Sequence, residues 1–185
     1  MAKVVVGIDL AGNPKNDTGF CVLTATETLK DVSTEILHSD QEIIEKVEIV
    51  KPEVIAIDAP LTYFGENRKC DELLKEYGTL PVTLRGMEVL AIRGRELRKK
   101  LESRNFNVIE IFATASAKIL GLYAETEKEM QKNLLNSNIK GAIERKFLNK
   151  DELDAIFAAI TAYMYTENLV DFVGDEKGRI AIPKV

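Results

Sequence analysis

Apolar positions fall into two alternating periods along the chain. Residues 3 to 9 (Lys-Val-Val-Val-Gly-Ile-Asp) form a continuous β-branched run, the pattern of a strand buried on both faces, and the run ends in an acid. Gly, Asn, Pro and Asp fill positions 10 to 17 and supply turn chemistry. Further strands are predicted over 18 to 26 and 28 to 37, so the chain opens as an antiparallel meander. Ser39 followed by Glu42 makes a capping box that starts a helix, with Ile43, Ile44, Val47 and Val50 at helical spacing and Pro52 just past its end. Residues 53 to 58 (Glu-Val-Ile-Ala-Ile-Asp) repeat the strand-ending-in-acid pattern, and Pro60 forbids its simple continuation.

Beyond that point, helices are predicted over 67 to 77 and 86 to 104, separated by a break at 78 to 81. A buried strand follows at 107 to 112, then helices at 114 to 121, 125 to 135 and 138 to 148. The helix over 151 to 168 carries Ala155, Ala158, Ala159 and Ala162 on one face, and small residues let a helix lie close to a sheet. The tail from 170 to 185 reads as a hairpin around Gly-Asp-Glu-Lys-Gly. With no internal repeat or linker, residues 1 to 185 are expected to form one domain: a mixed sheet with helices on its faces.

Composition narrows the function classes. The chain has 185 residues, 45% hydrophobic and 30% charged, with a net charge of −5, which argues against broad, charge-driven nucleic-acid binding. The charge is uneven, however. Seven basic residues (Arg85, Arg93, Arg95, Arg98, Lys99, Lys100, Arg104) share one stretch with three acids, leaving a local surplus of four. That stretch reads either as a solvated helix face or as a grip on phosphates. Cys21 and Cys70 make no disulfide framework, no apolar leader opens the chain and no run reaches the ~18 residues of a membrane span. A cytoplasmic, non-membrane protein is the expectation.

The acids carry the candidate chemistry. Asp9 and Asp58 end two strands that crossover topology makes parallel, which puts both carboxylates on the carboxyl rim where α/β sheets bind ligands. Asp151 and Asp154, three apart at a helix start, share a face. Taken singly, each acid has a plainer role, as turn residue or helix cap. Converging, they would repel one another unless they held hard cations, and oxygen donors of this kind select Mg²⁺ or Mn²⁺. Glu110 sits inside an apolar strand and either faces solvent or faces the site. Arg68 and Arg85 follow the second acid-ended strand and either contact phosphate or pair with acids. His38 reads as a surface residue. Zinc spacing, a serine elbow and a Walker-type loop are all missing from the sequence.

These motifs resemble a known family. Val-Val-Val-Gly-Ile-Asp-Leu-Ala-Gly (4 to 12) with Thr18-Gly19, Ile-Ala-Ile-Asp-Ala-Pro-Leu (55 to 61), Arg68 with Asp71, Leu-Arg-Gly-Met (84 to 87), Ile-Glu-Ile-Phe (109 to 112) and Asp-Glu-Leu-Asp-Ala-Ile-Phe-Ala-Ala (151 to 159) together resemble domain of unknown function 429, described as predicted nucleases of RNase H-like fold. The final helix resembles that of RuvC-type resolvases, whose paired acids complete a metal site. Where the family motif continues with a proline, this chain has Ala113.

The resemblance implies an RNase H-like mixed five-stranded sheet flanked by helices, with a short C-terminal hairpin. By that resemblance Asp9, Asp58, Asp151 and Asp154 would be metal ligands; the leading reading has two Mg²⁺ or Mn²⁺ ions, Asp9, Asp58 and Asp154 as the catalytic acids, and Asp151 or Glu110 assisting. Nucleic acid would be gripped by Arg68, Arg85, Arg95, Lys99 and Lys100, and its phosphodiester bonds hydrolysed. Two alternatives stand beside this nuclease reading. One is a non-catalytic module of the same fold that binds nucleic acid, a nucleotide or a protein. The other is a phosphotransferase related to the actin and sugar-kinase group.

Overall fold

A computed structural model describes residues 2 to 185. The meander expected at the start is present as β1 (Lys3–Asp9), β2 (Thr18–Ala25) and β3 (Lys30–Leu37). Helix α1 (Asp40–Val50) begins at the predicted capping box: Ser39 Oγ accepts from the Glu42 amide while Glu42 reaches back to the Ser39 amide. Strand β4 (Val54–Asp58) follows, then α2 (Lys69–Leu73), a 3₁₀ turn and α3 (Arg85–Glu102). After β5 (Val108–Ile111) come α4 (Ala113–Ile119), α5 (Glu127–Asn136), β6 (Ile139–Gly141), α6 (Ala142–Arg145), α7 (Lys150–Thr166), β7 (Val170–Asp175) and β8 (Gly178–Pro183).

All eight strands join one sheet, in the order β6-β3-β2-β1-β4-β5-β8-β7. The expected mixed sheet and C-terminal hairpin are both present, and only the strand count of five is corrected, to eight. The β7–β8 hairpin attaches to β5 through the parallel pair Ile111 and Ala181, and β6 pairs with the outer edge of β3. Two predicted helices are also corrected. The stretch 67 to 77 breaks at Leu74 into α2 and the 3₁₀ turn, which ends at Gly78 with φ 104°. The stretch 138 to 148 holds a short strand and a short helix, because Asn138 and Gly141 adopt positive φ and cannot extend an α-helix.

Alternation along each strand divides the core between the two faces of the sheet. Val5, Cys21, Leu23, Ala56 and Ile111 pack with the apolar side of α7 and α4. Val6, Ile8, Phe20, Ile55 and Ile57 pack with Ile43, Ile44 and Val47 of α1 and with Leu97 and Leu101 of α3. The result is a three-layer α/β/α arrangement.

The seating of α7 depends on two glycines. A Cβ on Gly7 would lie 2.1 Å from the Ala155 carbonyl oxygen and 2.2 Å from the Ala159 nitrogen. One on Gly19 would lie 2.0 Å from the Asp151 carbonyl oxygen. Bare backbone on β1 and β2 thus meets the alanine face of α7, and the start of that helix is pressed against the rim where β1 ends.

Candidate functional site

Asp9 and Asp58 are direct register partners at the ends of the parallel strands β1 and β4. Parity sends Asp9 to the same face as Val5, and Asp58 to the same face as Ala56, which is the face α7 covers. With α7 held down on Gly7 and Gly19, Asp154 projects from its second turn onto the same spot. One carboxylate oxygen from each of Asp9, Asp58 and Asp154 lies within 4.8 Å of the others.

Crowding and burial set the electrostatics. Burial, then the charges of Asp58, Asp154 and Asp151, hold the pKa of Asp9 well above 3.8. Asp58 is pushed up to about 8 by burial and by Asp154, against a hydrogen bond from the Ala113 amide. Asp154 is raised chiefly by burial, opposed by Lys150, whose ammonium lies 2.5 Å from its carboxylate, one helical turn away. Three acids sharing one ammonium is a charge deficit that a divalent cation fits well, and oxygen-only donors suit Mg²⁺ or Mn²⁺. Lys150 carries a sequence signal, its i, i+4 spacing to Asp154, that was absent from the expectations above.

Asp151 stands beside the trio, not within it. It borders a polar hollow shared with Asp9, Lys15 and Asp17, and burial followed by Asp17 raises its pKa. Asp9 therefore lies between two environments, one containing Asp58 and Asp154 and one containing Asp151. His38 pairs with Asp17 at 3.1 Å on the outer side of this hollow.

The structure places Glu110 elsewhere. Its register partner is Ile57, so its side chain leaves the sheet on the face opposite Asp58. There Glu110 Oε2 accepts from the Leu61 amide at 2.8 Å, and both its oxygens accept from Arg68 at 2.7 and 2.9 Å. Arg68 also donates from Nε and Nη2 to Asp71, at 2.9 and 2.7 Å, and from Nη1 to Thr62. A guanidinium has five N–H donors, and these contacts use all of them. At 2% exposure, Arg68 is an internal clamp with nothing left for a phosphate. It fastens the loop after β4 and helix α2 to β5, and the Thr62 hydroxyl extends the tie to Lys177 in the terminal hairpin.

The basic stretch lies on α3 and is largely self-neutralised. Arg95 and Lys99 both bond Glu96 at 3.1 Å, and Lys100 bonds Asp40 at 3.0 Å. Arg93 is buried and joins Asp40 to the backbone carbonyls of Ala11 and His38. Arg85 stands exposed in the first turn of α3.

The chain is similar in structure to RuvC of Thermus thermophilus, with a TM-score of 0.56 and 12% identity over 97% of this chain and 99% of that one. At that identity the likeness shows the fold, which is RNase H-like. Fainter likenesses extend to the large terminase of a thermophilic bacteriophage (TM-score 0.39, 10% identity, 97% of this chain and 35% of that one). Another is to a trimeric exonuclease of Pyrococcus horikoshii OT3 (TM-score 0.28, 13% identity, 97% and 72%). Neither is close enough to carry an argument. No family model matches the sequence, and no curated protein does. Among the described residues, no helix is long and apolar enough to cross a membrane.

Proposed function

We propose that the chain is a divalent-metal-dependent nuclease that hydrolyses phosphodiester bonds at the carboxyl rim. The observation that carries this reading is the convergence of Asp9, Asp58 and Asp154 from two strand ends and a helix within 4.8 Å. The RNase H-like fold and the motifs resembling domain of unknown function 429 support it. Mg²⁺ or Mn²⁺ would be held by Asp9, Asp58 and Asp154, with Asp151 adding a ligand on the side of the polar hollow. Such ions supply charge neutralisation at the phosphate and a more acidic bound water.

The remaining work falls to the chain itself. Asp9, between the two environments, is the carboxylate both sides share. Lys150 holds Asp154 in place while the site is empty of cation, and its exposed ammonium is free to turn toward a substrate phosphate once Asp154 is engaged elsewhere. Arg68 and Glu110 hold the loop after β4 and so fix the direction of the Asp58 backbone. They are positioning residues.

Calorimetric titration with Mn²⁺ tests the site, followed by cleavage of end-labelled DNA and RNA. Saturable binding and cleavage that are both lost in Asp9→Asn support the reading; binding indifferent to Asp9 overturns it. A second reading, a non-catalytic module of the same fold that binds a nucleotide or a protein and not a nucleic-acid backbone, is favoured by one observation. The charges of α3 are paired with Glu96 and Asp40, which leaves little free positive surface for a nucleic-acid backbone. Cation binding without cleavage of any nucleic acid would select it.

A further inference from the structure

The rim carries a feature that metal ligation does not use. A cavity of about 200 Å³ opens there, with Asp9 and Asp58 on one side and Met87, Leu90, Phe112 and Ile180 among its other walls. The lining is mainly apolar, although it adjoins the acid trio. A benzene ring is accommodated by an apolar cavity of about 150 Å³. This one therefore admits a single heterocyclic ring system and not a stacked pair. Of these lining residues Met87, Leu90 and Phe112 are half-buried and Ile180 is buried. The lining includes the aromatic ring of Phe112 and the polarisable sulfur of Met87, side-chain types suited to a flat heterocycle.

Arg68, Asp71 and Glu110, which also line the cavity, are already engaged with one another. Arg68 spends every N–H on Asp71, Glu110 and Thr62. A bound ring would thus be held by its faces and would not be read along its edge by the guanidinium.

Resting on the nuclease reading, we propose that this cavity receives the unstacked base of the nucleotide whose phosphate faces Asp9 and Asp58. The substrate class follows. A base inside a continuous duplex is stacked and cannot enter, so single strands, frayed ends and distorted junctions are the substrates, with weak preference among the four bases.

The first test needs no cleavage. The methionine and isoleucine methyl groups of the whole chain are observed by NMR in Mg²⁺ while adenosine monophosphate or thymidine monophosphate is added, with ribose 5-phosphate as the baseless control. The expected result is saturable shifts of the Met87 and Ile180 methyls with both nucleotides and none with the sugar phosphate. Met87→Trp, which fills the mouth, should weaken nucleotide binding roughly tenfold, the scale of one stacked base. Shifts that are equal with the baseless control, or absent with both nucleotides, overturn the proposal.

The second test uses the unmodified protein, so it does not depend on the variant folding. A single-stranded oligonucleotide with an abasic site at the scissile position should be cut about tenfold more slowly than its intact counterpart. Equal rates overturn the base pocket and leave the nuclease reading standing. Nucleotide binding with no cleavage of either strand supports the pocket and removes the nuclease reading.

Discussion

Gly7→Ala probes the contact on which the acid trio depends. The new methyl would stand 2.1 Å from the Ala155 oxygen, whereas ordinary contact begins near 3.4 Å, so α7 must retreat by about 1.3 Å, the difference between the two. Neither partner is a flexible side-chain end, since both sides are backbone. Overpacking a core costs ~1–3 kcal/mol, and a rigid helix on a central strand belongs at the upper end. For a domain of this length each kcal/mol shifts the melting temperature by ~2–4 °C, which gives a fall of about 6–12 °C. Activity should suffer more than stability, because moving Asp154 by about 1 Å relative to Asp9 and Asp58 costs on the order of 10²-fold in rate. The assay pairs thermal unfolding with Mn²⁺-dependent cleavage measured at least 15 °C (roughly twice the expected shift) below the variant's melting point. Gly86→Ala is the control, since a Cβ there meets nothing within 4 Å and the residue lies in the first turn of α3. If Gly7→Ala melts within ~2 °C of the parent and keeps its rate, glycine-mediated seating of α7 is not what assembles the site.

Other outcomes follow from the same geometry. Arg68→Met strands Glu110 and Asp71 as buried, unpaired acids and should cost ~3–5 kcal/mol in chemical denaturation; a loss under ~1 kcal/mol would contradict the clamp. Asp58 has an ordinary pKa of 3.8 and a folded value of about 8, so between those limits the folded chain binds more protons than the unfolded one. Stability of the cation-free protein should therefore fall as pH rises from about 4 to about 8, and Asp58→Asn should flatten that fall. For the same reason, Mg²⁺ binding at pH 7 should release protons, seen as a calorimetric heat that changes with the ionisation enthalpy of the buffer; one heat in every buffer would refute it. If nucleic acid binds, neutralising Arg95, Lys99 and Lys100 together should lower the salt slope by less than half of the ~2.7 expected for three free phosphate contacts, because all three are already paired. A drop of the full amount would show that those pairs give way to phosphates.

The opening meander and the parallel placement of the Asp9 and Asp58 strands were legible because both acid-ended runs are apolar throughout, the signature of neighbouring buried parallel strands. The capping box at Ser39 was legible because it is wholly local. The direction of Glu110 was not legible, although the information was present. Counting parity from Ile57 and Asp58 across the register would have put it on the opposite face, but register is a tertiary fact. Gly7 read only as one residue of a strand, since nothing local distinguishes a glycine that tolerates a helix against it from one that does not. Strand β6 is three residues long and exists because the edge of β3 recruits it, a pairing that helical periodicity over 138 to 148 could not reveal. The pairing of α3's basic residues with Asp40 depends on how α1 packs, and charge counting along one helix misses it.

Asp9, Asp58 and Asp154 come from distant parts of the chain, and Asp154 takes its place only when α7 settles on β1. A nascent or partly unfolded chain consequently holds isolated carboxylates but no cation site. Cation binding then acts on the native state alone, adding about 2.7 kcal/mol to its stability at a hundredfold excess over the dissociation constant. Were the chain to cut nucleic acid, this arrangement would guard the cell against its own unfinished copies, because the cutting centre exists only where β1, β4 and α7 are all in place.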